Sequence, residues 1–538
     1  MPEVIGAEAA KRLIHGAAEI ALLDPRERGQ FGEGHLFHAS NCPYSRLELL
    51  APRLVPKRDT PCLLIDGGDG LAERAARRLA ALGYHRLLIL QGGTVGWAEA
   101  GFTLFQGVGV PSKTFGELME HDCHTPTITA DELHAWQREG RRHLLLDARP
   151  FAEFRRMSLP GARCLPNGEL LYRFSQVVPG PTLPIVINCA GRTRGLIGAQ
   201  SLINAGVANP VYALQNGTQG WLLAGLDLER GRASPPMPTP TPAALEAGRA
   251  RAADLARRLG VPMIDRDQLA RWSGEAGRSL FLLDLRTAAE YEAGHLPGAR
   301  HAPAGQLVQA LDEWTAVRRA RLVLIDDNGL RAVMAASWLR QMGRDAVAVS
   351  GALDSTPLET GPDIIALDES VPSIAAPCSA QDLARAQETG NPLILDLRPS
   401  AAYRAERIPG SRWATRSRLQ RLPLAPARPI ILVADAPAVA QLAALELREM
   451  TAAPIAYLEG GIEAWRGAGL PIDAAPGDLS DAEAIDFLFF AHGRSAGNLA
   501  ACRQYLAWET GLTQQIDGQE QAELTPLVLD QAPAGEAG

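Results

Sequence analysis

The sequence predicts an α/β protein: four tandem three-layer α/β/α domains with parallel central sheets, followed by a short helical C-terminal tail. Three observations carry this. The 538 residues suffice for about three to five domains at roughly 100–200 residues each. One pattern recurs four times: an apolar strand ending in Asp-x-Arg, then an aromatic-bearing helix, then, in three of the copies, a Pro-Gly turn. Short continuous apolar strands alternate with amphipathic helices, as expected of parallel strands covered on both faces.

The four copies begin at Leu22, Leu145, Leu282 and Ile394, with Asp24, Asp147, Asp284 and Asp396 closing the strand. Spacings of domain length indicate a tandem array of whole domains rather than a solenoid of short repeats. A second apolar strand follows in each copy, opening at Cys62, Ile185, Leu322 and Ile430, and then a helix rich in Ala and Leu. A third strand leads into a glycine turn and a tryptophan in three copies, ending at Trp97, Trp221 and Trp465, which read as core anchors. The third copy decays to Ser350-Gly351-Ala352-Leu353-Asp354-Ser355-Thr356. The expected domains are 1–112, 125–232, 262–360 and 372–475. Residues 233–261 form a linker with five prolines between Arg232 and Ala244, followed by a helix. Residues 476–538 are expected to form one or two helices and a frayed acidic end.

Composition narrows the function classes. Apolar residues make up 46% and charged residues 21%, which argues against wholesale disorder. A net charge of −8 argues against a nucleic-acid partner. No apolar run approaches membrane-spanning length, and the N-terminus reads as a helix and strand rather than a secretion signal. Seven cysteines, an odd and sparse set, imply no disulfide framework and fit a reducing cytoplasm.

The chemistry-bearing position is the residue closing the second strand. It lies 42 residues after the Asp in the first three copies and 38 in the fourth, and is Asp66, Cys189, Asp326 and Ala434 in turn. Only copy two has a soft nucleophile there, in the loop Cys189-Ala190-Gly191-Arg192-Thr193-Arg194-Gly195. A cysteine between a strand end and a helix start meets unpaired N–H groups and the positive end of the helix dipole. Gly191 and Gly195 allow the amides to turn inward as an anion-holding nest, and Arg192 and Arg194 add positive charge. These effects predict a thiol pKa lowered from about 8.5 towards 7 or below. The carboxylates of Asp66 and Asp326, and Ala434, predict three catalytically silent domains.

The Asp-x-Arg strands, the Pro-Gly turns, the Cys-headed loop and the Gly-Gly-x-x-x-Trp turns together resemble rhodanese (sulfurtransferase) domains, over most of residues 1–475. The resemblance implies sulfane-sulfur transfer through a persulfide on Cys189, from thiosulfate or a similar small anionic donor to cyanide or a thiol, with no metal or organic cofactor. It also maps a substrate arginine onto Arg149, although Asp-x-Arg in all four copies equally suits a structural ion pair with Asp147. Related dual-specificity phosphatases use Cys-x5-Arg. Here Arg194 follows Cys189 after four residues, a smaller ring that disfavours phosphate chemistry. The alternative function is a persulfide carrier or scaffold whose silent domains dock a sulfur-accepting protein.

Other candidates read as ordinary packing. Cys164 is a strand residue before it is a resolving thiol, Cys62 opens a core strand, and Cys42 has no catalytic surroundings. His121, Cys123 and His124 fit no standard zinc spacing. Cys502 is expected on a tail helix packed across a neighbouring domain.

Overall fold

The computed structural model describes residues 2–354, 357–425, 427–474 and 479–529. Ser355 and Thr356 of the decayed turn, the expected start of the tail near Asp478, and the acidic end 530–538 lie outside these residues. No described helix is long and apolar enough to cross a membrane.

The four parallel sheets predicted are present. In the second domain the strands lie in the order Thr127–Ile128, Val211–Leu214, Ile185–Asn188, Leu144–Asp147, Arg163–Cys164. The third and fourth domains repeat this order around Arg321–Ile325 and Ile430–Val433, and the first centres on Cys62–Leu64. The central strand is buried on both faces in every domain, which explains its uninterrupted apolar sequence. The C-terminal end of that strand is where an open parallel sheet leaves room for a ligand.

Asp-x-Arg is a fold device. In each domain the Asp carboxylate accepts from the Nε and Nη2 of the Arg two residues on, and the same Nη2 donates to a carbonyl eight residues beyond the Arg: Gly34, Met157, Gly294 or Glu406. The pair pins the strand end to the far end of the following helix. Trp97, Trp221 and Trp465 are buried, and each Nε1 donates to a carbonyl six residues later.

The chain forms two compact units, and neither is contiguous in sequence. One contains residues 1–107, 315–317 and 364–490; the other contains 108–314, 318–363 and 491–538. The first unit therefore holds the first and fourth domains, and the second holds the second and third. In the first unit Glu446 accepts from the Tyr44 hydroxyl at 2.7 Å and from Arg74 and Arg78 at 2.8 Å, while Arg416 pairs with the buried Glu48. Burial alone would raise the Glu446 pKa, but the hydrogen bonds from Tyr44, Arg78 and Arg74 outweigh it and hold the group at about 2. A depressed carboxyl pKa contributes stability that is present above the ordinary value of 4.5 and is lost as pH falls towards 2. Denaturant unfolding of Glu446→Gln, compared with the parent from pH 7 to 2, is expected to show a smaller acid-induced loss.

In the second unit the helices Asn167–Tyr172 and Ala304–Gln309 cross at their glycines; a Cβ on Gly168 would lie 2.7 Å from Ala304 Cβ. Arg331, fully buried, meets Glu169 at 3.0 Å and Glu290 at 2.9 Å and lies 3.5 Å over the Tyr172 ring.

Two stretches differ from expectation. The segment between the first two domains is a helix, Val110–Cys123, with proline in its first turn where the missing N–H costs nothing. The tail begins with turns rather than a helix, because Gly493 and Gly497 adopt left-handed backbone (φ 79° and 101°); its main helix is Leu499–Thr510.

Candidate functional site

Cys189 closes the central strand of the second domain, immediately before the helix Thr193–Asn204. The loop is held from beneath by the glycine turn before Trp221. The N–H groups of Thr218 and Gln219 donate to the carbonyls of Cys189 and Ala190 at 2.9 and 3.1 Å, and the Thr218 hydroxyl also donates to Ala190. With those carbonyls so held, the backbone N–H groups of Gly191 and Gly195 oppose the rise in the Cys189 pKa, and the Sγ itself donates to the Arg192 carbonyl at 3.7 Å. Gly217 makes this possible. Its φ is +55°, and a Cβ there would sit 2.3 Å from the Cys189 carbonyl oxygen and 2.7 Å from that of Gly191. Gly217→Ala is expected to cost at least about 1–2 kcal/mol from the left-handed backbone alone. The clash would also displace the loop, so a lower unfolding midpoint together with loss of Cys189 reactivity is the expected result.

The thiolate expectation is corrected. Cys189 is only 2% exposed. Burial raises its pKa above the usual 9.0, Arg194 and the two amides oppose this, and the carboxylate of Glu509 adds to the rise. The loop arginines are already compensated. Arg192 is paired with Glu117 at 2.6 Å and with Glu120, and donates to Asn216 Oδ1; Arg194 forms a two-point pair with Glu153 at 2.7 and 2.8 Å. The charge counted in the sequence is therefore largely spent on neighbours. The Arg149 guanidinium donates through Nε and Nη2 to Asp147 and through Nη2 to the Met157 carbonyl, the geometry shared by the three domains without a loop cysteine and that of the structural ion pair the sequence offered beside the substrate role.

The tail supplies the roof. Within this unit the helix Leu499–Thr510 lies over the loop, and Glu509 Oε1 accepts from the Thr193 hydroxyl at 2.5 Å and the Thr193 N–H at 3.4 Å. A Cβ on Gly191 would lie 3.0 Å from Glu509 Oε2, 3.1 Å from Tyr505 Cε1 and 3.2 Å from Gln219 Nε2. Lys113, whose pKa burial pushes down to about 8, lies on the helix Val110–Cys123 beside the same roof, 5.7 Å from the Trp508 ring. Sequence reasoning missed Glu117, Glu153, Gln219, Tyr505 and Glu509. Of these, Gln219 carried a signal: Val95 and Glu463 occupy its place in the other glycine turns.

Of the remaining thiols Cys42, Cys62, Cys164 and Cys502 are buried, and Cys123 and Cys378 are half-buried. Cys164 Sγ faces the Arg149 carbonyl at 3.3 Å, and burial pushes its pKa up to about 12, as it does for Cys62. Cys502 Sγ faces the Arg494 carbonyl on the tail helix. His121 faces Asp122, whereas Cys123 Sγ faces the Leu527 carbonyl.

In the first and third domains a carboxylate occupies the position of Cys189. Asp66 accepts from the amides of Gly68 and Ala72 at 2.8 and 2.9 Å, the positions that correspond to Gly191 and Gly195. Asp326 accepts from Gly329 at 2.6 Å and Arg331 at 2.9 Å, and burial together with Asp327 raises its pKa to about 7. In the fourth domain the helix after Ala434 opens on Pro437, which has no N–H to give.

This chain is similar to several known proteins. The crystal structure of a thiosulfate sulfurtransferase from Pseudomonas aeruginosa is 40% identical, covers 98% of this chain and 100% of its own, and superimposes with a TM-score of 0.91. The uncharacterized protein YibN of Escherichia coli K12 is 27% identical over 106 residues, 20% of this chain and 73% of YibN. The Alr3790 protein from Anabaena is 24% identical over 19% of this chain and 82% of its own, with a TM-score of 0.18. The model of the rhodanese-like domain matches four times, at residues 6–100, 129–224, 265–355 and 379–468, and the chain therefore belongs to the rhodanese-like family.

Proposed function

We propose that this protein moves sulfane sulfur from thiosulfate, or a similar anionic donor, to cyanide or a thiol acceptor through a persulfide on Cys189. One observation carries the reading: a single loop cysteine between the end of the central strand and a helix start, in a domain array where the equivalent positions are Asp66, Asp326 and Ala434. The Cys189 thiolate attacks the outer sulfur of thiosulfate, the donor S–S bond breaks, and sulfite leaves with the electron pair. The persulfide then carries its charge on the outer sulfur, where the nest of Ala190 to Gly195 backbone groups holds it. Arg194 supplies positive charge that favours the ionised sulfur, and Arg192 braces the loop. Phosphate-ester chemistry is disfavoured by the four-residue spacing to Arg194. The free cysteines support a reducing, cytoplasmic setting.

Mass spectrometry after exposure to thiosulfate tests this: the peptide containing Cys189 gains one sulfur atom and sulfite is released. No gain on that peptide overturns the reading. The three domains without a loop cysteine, two of them with a carboxylate in its place, favour a second one, a persulfide carrier that docks a sulfur-accepting protein. Persulfide formation without turnover to cyanide or small thiols would select it.

A further inference from the structure

Two buried side chains beside the Cys189 loop carry polar atoms with no hydrogen-bond partner among the described residues. Glu509 and Gln219 are each 1% exposed. The Glu509 Oε2 and both side-chain atoms of the Gln219 amide are unpaired. Two of these atoms close on Gly191 itself: a Cβ there would lie 3.0 Å from Glu509 Oε2 and 3.2 Å from Gln219 Nε2, so only glycine lets both side chains approach the loop. Burying a carboxylate oxygen and a whole amide without partners is costly, so such groups need an occupant. The cluster is peculiar to this domain, since the other glycine turns carry Val95 and Glu463 in place of Gln219.

We propose that Glu509 is the acid–base group for transfer to thiol acceptors, with Gln219 as the amide that holds the incoming sulfur compound. The proposal rests on the Cys189 persulfide reading and extends it. The persulfide ends in an anionic sulfur, which repels a second thiolate, so a thiol enters neutral and its proton must be moved. Glu509 Oε2 takes the proton from the acceptor R–S–H. The acceptor sulfur bonds to the outer sulfur, the bond from that sulfur to Cys189 breaks, and the electron pair returns to Cys189 Sγ under the Gly191 and Gly195 amides. Glu509 then gives the proton to the transferred sulfur, releasing R–S–S–H. Charge and protons balance, and no external oxidant or reductant is needed. Cyanide anion accepts sulfur as thiocyanate with no proton to move, so the two acceptors separate the role of Glu509 from that of the loop.

The test is single-turnover transfer from preloaded full-length protein. Cys189 is loaded with thiosulfate or, independently, with inorganic polysulfide, and loading is verified by mass before the acceptor is added. For Glu509→Gln, which keeps an acceptor for the Thr193 hydroxyl, the ratio of thiol to cyanide rates at pH 7 is expected to fall at least tenfold, within the ordinary range for general acid–base catalysis. That deficit is expected to shrink as pH rises through the acceptor thiol's pKa of about 8.5. Glu509→Asp should recover part of the ratio. An unchanged ratio, or equal slowing with both acceptors at every pH, overturns the proposal. Should Glu509→Gln fail to fold, the parent protein decides: thiol transfer nearly flat from pH 7 to 8.5 supports the role, and a rise of about tenfold per unit with thiol ionisation overturns it. Loading by polysulfide but not by thiosulfate refutes the donor reading and leaves the Glu509 test intact; loading by neither refutes both.

Discussion

Cys189→Ser is expected to lower thiosulfate-to-cyanide transfer by on the order of 10³-fold or more, as loss of a nucleophile does in enzymes whose remaining machinery is intact. A serine hydroxyl forms no persulfide, so the gain of a sulfur atom should vanish with the activity. The replacement is nearly isosteric and the position is buried, so the unfolding midpoint should move little, separating lost chemistry from lost structure. The pH profile is a second readout. Burial first, and the Glu509 charge in addition, raise the Cys189 thiol above 9.0. Loading of the parent should therefore keep climbing through pH 9 instead of levelling near 7, and any mutation that opens the roof should shift the climb to lower pH. Following sulfite release from pH 7 to 10 checks both.

Arg331→Ala is expected to give the largest loss of stability. The guanidinium is fully buried between Glu169, Glu290 and Asp327 and stacks on Tyr172. Removing one partner of a buried ionic cluster leaves uncompensated carboxylates and costs about 3–5 kcal/mol. Arg173 still reaches Glu169 at 2.6 Å and Glu290 at 3.1 Å, which places the loss toward the lower end of that range. Replacing Arg331 with Met while converting Glu169 and Glu290 to Gln should recover much of it, because no buried charge is then stranded. Denaturant midpoints for the single and triple variants test this; equal losses in both would show that packing on Tyr172, and not charge, sets the cost.

The features legible in the sequence were those written in local periodicity. The Asp-x-Arg strand ends, the doubly buried central strands and the loop from Cys189 to Gly195 each follow from short-range pattern, and the structure shows them at the sheet ends where they were expected. The charge state of the site was not legible. Arg192 and Arg194 look free in sequence because Glu117 and Glu120 lie about 70 residues away and Glu153 lies in another element. Glu509, more than 300 residues from Cys189, sits in an unremarkable Trp-Glu-Thr run and is brought to the loop only by packing. The helix Val110–Cys123 was hidden by its weak apolar periodicity, although Pro111 at its start was a usable sign.

The interleaved order of the two units has a consequence for how the chain is made. A ribosome delivers the first domain long before the Arg416 that neutralises its buried Glu48, and completes the second and third domains in the interval. The nascent polypeptide must therefore carry an unfinished N-terminal body while it builds the interior one. Cys189 stays uncovered until the stretch containing Tyr505 and Glu509 emerges, so its seclusion from solvent is among the last things the chain acquires.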